Sequence, residues 1–228
     1  MEPWDKSGID FGQQIKKDVK KIVVALDLNT DSLEKALEYD ADMIVIHHPF
    51  FWEESREEEY EINPYKKSLY EKAIWKGLVC YSIHTNYDNA KDGMWMQVAR
   101  NLGFKKMINE NKYGVRIDEK TNTKNILELL KNKNIKVKDK SVTPKQEFDS
   151  IVIYPGSGDM KSIVKSAQTP NTLIISSDKK WSEWMTINEM NINFIEVEHS
   201  IEDAFVEHIA KVIKNEFKEI QLIKVNVK

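Results

Sequence analysis

The chain has 228 residues, of which 41% are hydrophobic and 31% are charged, and its formal net charge is −3. This composition is too apolar for a disordered chain, and it lacks the basic excess typical of dedicated nucleic-acid binders. Cys80 is the single cysteine, which excludes an internal disulfide and a cysteine-rich zinc site. No apolar run approaches about 18 residues and the N-terminus lacks the pattern of a signal peptide. We therefore predict a globular cytoplasmic protein with no membrane partner.

Strand-like apolar runs alternate with amphipathic stretches in the first part of the chain. The predicted strands are KIVVALDL (21–28), DMIVIHHPF (42–50) and GLVCYSIH (77–84). Asp31 and Glu34 predict a capping box at the start of the first helix, and a polar, acidic insertion runs from Glu53 to Glu61. This alternation is typical of an α/β layer with parallel strands. We expect Cys80, inside the third run, to be an inert core residue.

The pattern weakens between Asn109 and Ser150, a lysine- and asparagine-rich segment with one helical piece, and then resumes. The later elements are strands in FDSIVIYPGSGD (148–159), NTLIISSD (171–178) and NFIEVEH (193–199), and helices at Met160 to Ala167, around Trp184 and from Ile201. We therefore predict two similar α/β domains. The first is 1–108, joined in space by the C-terminal segment, and the second is 148–228. Between them, 109–147 is a connecting segment or a small α+β insertion.

Histidines mark the ends of the predicted strands. The histidines in these positions are His47, His48, His84 and His199, four of the five in the chain. In open α/β sheets, ligands bind in the crevice outside the carboxyl ends of the strands. The fifth, His208, lies within a predicted helix beside Glu207, and we expect it on the solvated surface.

Acidic residues lie close to the same strand ends, and each has a structural interpretation as well as a functional one. Asp88 can form an Asx turn, while Glu202 and Asp203 can favour the first turn of a helix capped by Ser200. A single strand-end histidine is more often a hydrogen-bonded structural residue than a ligand. Together, however, imidazoles and carboxylates on three strand ends are a mixed nitrogen and oxygen set that suits zinc, manganese or iron.

Five segments of the chain, taken in order, carry a family resemblance. They are WDKSGIDFG (4–12), VALDLNTDSLEKALEYDADMIVIHHPFF (24–51), YSIHTNYDNAKDG (81–93), PGSGD (155–159) and EHSIED (198–203). The sequence resembles the family known as GTP cyclohydrolase 1 type 2, or NGG-interacting-factor-three-like proteins. The resemblance implies two linked α/β domains with two divalent metal ions in the cleft between them, often assembled as a ring-shaped homohexamer.

The same resemblance assigns the ligands of the two ions. They are His47, His48, Asp88, His199 and an acidic residue just after it, with His84 as a neighbour of the site. The family usually places its last carboxylate four residues after the histidine, a position that Asp203 holds here. The apolar stripe of the following helix lies one position earlier than usual, which favours Glu202 and leaves Asp203 as the alternative.

Two functions of different classes fit these observations. The first is a metal-dependent hydrolase acting on a small, nucleotide-like substrate, which by the resemblance is the opening of the guanine ring of GTP. The second is a non-catalytic metal-binding scaffold or regulatory protein that forms a ring-shaped oligomer. Ser182, near a place where the family tends to have a histidine, and the acidic insertion leave room for the second. PGSGD could hold an anion, although a strand-to-helix turn is the simpler interpretation.

Overall fold

The computed structural model describes residues 2–15, 18–111 and 113–227. The chain divides into two compact units, one formed by Met1–Tyr87 with Phe205–Lys228 and the other by Asp88–Ala204. The division falls after residue 87 rather than at the predicted residue 108. The reason is the helix Met94–Asn101, whose buried apolar side chains pack on a strand of the second unit.

Short strands and helices alternate along the chain. In chain order the strands are β1 (Gly8–Phe11), β2 (Lys21–Ala25), β3 (Met43–Ile46), β4 (Val79–Ser82), β5 (Ile108–Asn111), β6 (Gly114–Ile117), β7 (Thr121–Asn122), β8 (Val137–Lys140), β9 (Glu147–Phe148), β10 (Ser150–Ile153), β11 (Thr172–Ser177), β12 (Phe194–Val197) and β13 (Gln221–Val225). The helices are α1 (Thr30–Glu38), α2 (Arg56–Ile62), α3 (Tyr65–Trp75), α4 (Thr85–Asp88), α5 (Met94–Asn101), α6 (Thr123–Asn132), α7 (Met160–Ala167), α8 (Trp181–Glu189) and α9 (Ala204–Glu216). A 3₁₀ turn spans His199–Asp203, just before α9. None of the helices in the described parts of the chain is both long and apolar enough to cross a membrane.

The first unit contains a five-stranded sheet in the order β1-β4-β3-β2-β13. Strands β4, β3, β2 and β13 run parallel, and β1 forms an antiparallel edge. The last strand of the chain therefore pairs with β2. The centre of the sheet is apolar on both faces, and Val23, Ile44 and Ile46 are fully buried. The sequence-based prediction of parallel strands holds for this sheet.

The second unit contains a six-stranded sheet in the order β5-β6-β10-β11-β12-β8. Its central strands β10, β11 and β12 run parallel, while β6 and β8 pair with them antiparallel. The segment 109–147 is therefore not a connector, because it supplies β6 and β8 to this sheet. Two of its few apolar residues, Val115 and Ile117, lie in β6 and are fully buried.

The start of α1 differs from the sequence-based prediction. The capping box of α1 is formed by Asn29 and Ser32, not by Asp31 and Glu34. The Asn29 side chain accepts a hydrogen bond from the Ser32 N–H at 3.0 Å, and the Ser32 hydroxyl accepts one from the Asn29 N–H at 2.9 Å. The helix begins earlier than predicted, because Asn29 has an extended backbone and its side chain caps a free N–H group of the first turn.

Cys80 is fully buried in β4, as expected. Burial raises the pKa of its thiol well above the ordinary value, and the carboxylate of Asp10 beside it acts in the same direction. Because the thiolate is the reactive form, we expect the native protein to react with a disulfide reagent at least about 100-fold more slowly than the urea-unfolded chain. Stopped-flow absorbance of the released thiol would measure both rates. Rapid labelling of the native protein would contradict this assignment.

Candidate metal centre

Three of the predicted histidines gather in the first unit. His47 and His48 follow β3, and His84 follows β4, its parallel neighbour. The His47 ring centroid lies 4.7 Å from that of His48 and 5.1 Å from that of His84. One nitrogen from each ring lies within 4.8 Å of the other two. The adjacent pair can share a site because both residues lie beyond the end of the strand, where the alternation of side chains no longer applies.

Each of these imidazoles has an oxygen acceptor at Nδ1. The contacts are His48 Nδ1 to Asp27 Oδ1 at 2.8 Å, His84 Nδ1 to Asp5 Oδ1 at 3.1 Å and His47 Nδ1 to the Ile83 carbonyl at 2.8 Å. An acceptor at this position keeps the proton on Nδ1 and leaves the lone pair on Nε2. Metal-binding histidines commonly have this arrangement, because the outer hydrogen bond fixes both the tautomer and the ring orientation.

In the second unit His199 lies at the end of β12, in the 3₁₀ turn. Its Nδ1 is hydrogen-bonded to the Asp178 carboxylate, and its Nε2 lies 2.7 Å from Glu202 Oε2. Burial alone would raise the pKa of Asp178, but hydrogen bonds from His199 and Lys138 outweigh it and lower the pKa. An Nε2 lone pair and a carboxylate at this distance repel unless a proton or a cation lies between them. The pair therefore has the donor chemistry of a cation site.

The 3₁₀ turn distinguishes the two acids that follow His199. The α-helix expected from Ile201 begins only at Ala204, so Ser200 lies in the 3₁₀ turn and does not cap α9. In a 3₁₀ turn, side chains three residues apart share a face. Glu202 therefore points to the same side as His199, and its exposed fraction is 5%. Asp203 is rotated away by one position. Glu202 and His199 therefore lie on one face of the turn, and the choice between Glu202 and Asp203 as ligand stays a prediction.

The glycine-rich loop PGSGD makes room for this acid. Gly156 has φ +66°, and a Cβ atom there would lie 2.5 Å from Glu202 Oε1 and 3.7 Å from His199 Cε1. Lys179 Nζ donates a hydrogen bond to the Ser157 carbonyl and holds the same loop. The loop then enters α7, where the Asp159 side chain accepts from the Ser162 N–H at 2.9 Å. The strand-to-helix interpretation of this motif therefore holds, and its first glycine has a packing role at the candidate site.

The two units use the same local construction. Asp27 follows β2 and contacts His48 after the neighbouring strand β3, and the two residues are 21 positions apart. Asp178 follows β11 and contacts His199 after the neighbouring strand β12, also 21 positions apart. Sequence reasoning missed both aspartates. The signal that could have found them is an acid at the end of the preceding strand at a repeated spacing.

The remaining predicted residues are placed as follows. Asp88 ends α4, is half-buried and begins the second unit. His208 was expected on the solvated surface, and that prediction is wrong. It is half-buried in α9, and its Nδ1 lies 2.9 Å from the hydroxyl of the buried Tyr87. His208 therefore has a structural partner.

Buried charges hold the loop that follows His48. Asp10 Oδ1 accepts hydrogen bonds from the N–H groups of Phe50 at 2.8 Å and Phe51 at 3.3 Å. Burial raises the pKa of Asp10 to about 6, although hydrogen bonds from Ser82 and from these two N–H groups oppose the rise. The chain immediately after the histidine pair is thus anchored to β1.

The acidic insertion completes this anchor. Its Glu59 is fully buried in α2, and Oε2 accepts from the N–H groups of Trp52 at 2.6 Å and Glu53 at 3.1 Å. Lys66 Nζ lies 2.6 Å from Glu59 Oε1 and donates to the Phe50 carbonyl at 2.6 Å. Burial alone would raise the pKa of Glu59, but these partners lower it to about 2. The insertion is a structural support of the site rather than a solvated loop.

Strand-end histidines that carboxylates orient, in an α/β fold, are typical of metal-binding proteins. All 228 residues match the family described as Duf34/NIF3 (NGG1p interacting factor 3), so the chain belongs to the DUF34/NIF3 family. The sequence-based resemblance to this family is therefore confirmed.

Individual relatives agree with this membership. The chain is 33% identical over 223 residues to a protein of Mycoplasmopsis pulmonis named GTP cyclohydrolase 1 type 2 homolog, covering 95% of this chain and 88% of the relative. A Ureaplasma parvum protein of the same name is 26% identical over 247 residues, covering 99% and 90%. Among solved structures, Staphylococcus aureus protein SA1388 matches with a TM-score of 0.86 at 20% identity, covering 99% and 90%. Reduced HcgD from Methanocaldococcus jannaschii matches with a TM-score of 0.79 at 20% identity, covering 100% and 91%. These two structures support the fold.

Asp10→Asn tests the electrostatics of the anchor. Asparagine keeps an oxygen for the two N–H groups but cannot ionise. The pKa of Asp10 is about 6 in the folded chain against 3.8 ordinarily, so its stabilisation is fully present below about pH 3.8 and is lost as the pH rises through about 6. Wild type loses this stabilisation between about pH 4 and about pH 7, and the variant does not. Over that range we expect the free energy of unfolding of the variant, relative to that of wild type, to rise by about 1–3 kcal/mol. Urea unfolding followed by circular dichroism would measure this difference, and a constant difference would contradict the assignment.

Asp27→Asn and Asp178→Asn test the orienting hydrogen bonds. Asparagine can donate as well as accept, so it no longer fixes the proton of His48 or His199 on Nδ1. We expect each variant to bind zinc about 10–100-fold more weakly, as measured by competition with a chromophoric chelator. Asp40→Asn is the matched control, because Asp40 has a 92% exposed side chain and a positive φ that asparagine also tolerates. Wild-type zinc affinity in both test variants would show that these bonds do not matter for metal.

Proposed function

We propose that this chain is a metal-dependent hydrolase of the DUF34/NIF3 family that binds two divalent ions. The proposed ligands are His47, His48, Asp88, His199 and Glu202, and the candidate metals are zinc, manganese and iron. The observation that supports the proposal most strongly is the set of Nδ1 acceptors, which leaves Nε2 of each predicted ligand histidine with its lone pair. Imidazole and carboxylate together suit these metals better than magnesium or calcium.

The ligand charges indicate the kind of substrate. Two ligand carboxylates against two divalent ions leave about +2, because the imidazoles bind in the neutral form, and the carboxylates of Asp27 and Asp178 behind the rings offset that charge. The substrate contact would therefore be a direct bond from an anionic oxygen to an ion rather than attraction by a net positive charge. Divalent ions held by these ligands would lower the pKa of a bound water molecule towards neutrality and so supply a nucleophile. Within the chain, Asp27 and Asp178 hold the rings in place, and His84 packs against His47 and His48 and keeps them oriented.

The names of the relatives suggest the substrate class. We propose a nucleotide-like substrate and, following those names, hydrolytic opening of the guanine ring of GTP. We also propose a ring-shaped homohexamer, which the family resemblance implies and which sedimentation velocity would test. The alternative is a metal-binding scaffold without turnover. Asp88→Ala separates the two, because an enzyme would lose activity and keep its assembly, whereas a scaffold would lose assembly or partner binding.

Glu202→Gln and Asp203→Asn form an isosteric pair that tests the ligand assignment. Both substitutions keep the side-chain volume and remove one negative charge, and only Glu202 lies beside Gly156. We expect Glu202→Gln to reduce bound metal at least about tenfold, the order seen when a metal-site interaction is lost, and Asp203→Asn to stay near wild type. Elemental analysis of the purified proteins, with formate release from GTP as the activity assay, would measure both effects. The opposite pattern would transfer the ligand role to Asp203, and full metal without turnover of any nucleotide would favour the scaffold.

A further inference from the structure

Two tryptophans of the first unit lie at the edge of its histidine cluster. The Trp4 ring centroid is 6.5 Å from that of Trp52, with 34° between the planes. Both indoles also contact His84, with centroid distances of 6.0 Å for Trp4 and 5.2 Å for Trp52. We call Trp4 and Trp52 the tryptophan rim. It adjoins the candidate metal centre without supplying any of its proposed ligands.

Hydrogen bonds to the rest of the unit hold the segment that carries Trp4. The Asp5 side chain is fully buried and accepts from the Thr85 hydroxyl at 2.5 Å and from the Thr85 N–H at 3.1 Å. Lys6 Nζ donates to the Glu53 carbonyl at 2.7 Å, next to Trp52. The Lys6 bond ties the segment that carries Trp4 to the segment that carries Trp52. The backbone of the Trp4 segment is therefore held by the fold, while its ring lies exposed at the surface.

The exposure of Trp4 is difficult to explain by packing alone. Its exposed fraction is 60%, although an indole is among the largest apolar groups that a fold can bury. Trp52 is half-buried, and its edge-on packing against His84 accounts for its position. Trp4 is more exposed, so packing against His84 accounts less well for its position. A large exposed ring beside a second ring is typical of a surface that stacks on a flat ligand.

The spacing of the rim suits such a ligand. A flat ring between two parallel aromatic rings needs them roughly 7 Å apart, two stacking distances of about 3.5 Å. The observed centroid distance of 6.5 Å is about 0.5 Å shorter, and the planes must rotate by 34° to become parallel, so the exposed Trp4 ring has to move to admit the ligand. The cation beside the rim, Lys6, already donates to the Glu53 carbonyl and is paired with Glu54 at 3.3 Å. What the rim offers is aromatic surface.

We propose that Trp4 and Trp52 bind a flat nitrogen heterocycle, such as a nucleobase, beside the histidine cluster. The proposal rests on the proposed function in one respect, because it makes this ring the base of the nucleotide-like substrate. The rim would select for aromatic bases through stacking and leave the phosphates to the ions of the metal centre. Binding of the base alone does not require turnover, so it can be measured separately.

The test is a titration of the full-length, zinc-loaded protein with guanosine, which has the ring but no phosphate. We expect Trp4→Leu to weaken guanosine binding by about 5- to 100-fold, the range for loss of one stacked aromatic ring. Trp4→Phe should recover most of the affinity. Trp75→Leu is the matched control, because Trp75 is 80% exposed in α3 of the same unit. Saturation-transfer NMR and calorimetry would measure the affinities, and ribose 5-phosphate should bind wild type and Trp4→Leu equally.

Several results would overturn the proposal. Equal guanosine affinity in wild type and Trp4→Leu would do so, as would an equal loss in Trp75→Leu, or no binding of guanosine, adenosine or cytidine to wild type. Trp52→Leu is a secondary variant, since its packing on His84 can affect folding, and Trp4 decides the outcome. Elemental analysis of each sample separates this inference from the metal assignment. Guanosine binding through Trp4 in a protein without metal would support base binding by the tryptophan rim and contradict the metal assignment. Full metal without guanosine binding would contradict base binding by the rim and leave the metal assignment standing.

Discussion

The hydrogen bond from a histidine Nδ1 to an oxygen at a neighbouring strand end is the interaction on which the candidate centre depends. A free imidazole can flip and exchange tautomers, so it presents no fixed donor to a ligand. Asp27 removes that freedom from His48, and Asp178 removes it from His199. Parallel strands make this possible, because their carboxyl ends meet at one edge of the sheet. The fold therefore supplies the orientation as well as the position of the donors, and it does so separately in each unit.

Buried ionic groups carry this constraint into the loop after β3. That loop has no strand partner for its backbone, and buried N–H groups must still be satisfied. Asp10 and Glu59 accept four of them, and Lys66 donates to a carbonyl of the same loop. Burying such charges costs free energy, and removing one partner of a buried pair leaves the other uncompensated. In this loop the buried charges hold the chain next to His48 in one conformation.

Most of the local structure could be predicted from the sequence, because apolar runs and helical periodicity are local signals. The strands that end in His47, His84 and His199 were found in this way, and so was the gathering of the first two at one sheet edge. Long-range pairing was not accessible. Glu59 lies in an acidic run that resembles a solvated surface, and its burial is explained by its contacts with Lys66 and with the N–H groups of Trp52 and Glu53. The place of residues 109–147 in the second sheet likewise depends on antiparallel pairing with distant strands, which a weak apolar pattern does not reveal.

The turn after β12 shows how a change in spacing can be absorbed by backbone geometry. An α-helix advances 100° per residue, so a ligand four residues after His199 would lie about 40° from it around the axis. A 3₁₀ turn advances about 120° per residue, so a ligand three residues after it returns to the same face. The family resemblance implies the four-residue spacing, and this chain has a 3₁₀ turn with Glu202 at the third position. For Glu202 as the proposed ligand, one residue fewer in a tighter turn would present a carboxylate in nearly the same direction. The missing Cβ at Gly156 leaves space for that carboxylate, because a Cβ there would lie 2.5 Å from Glu202 Oε1.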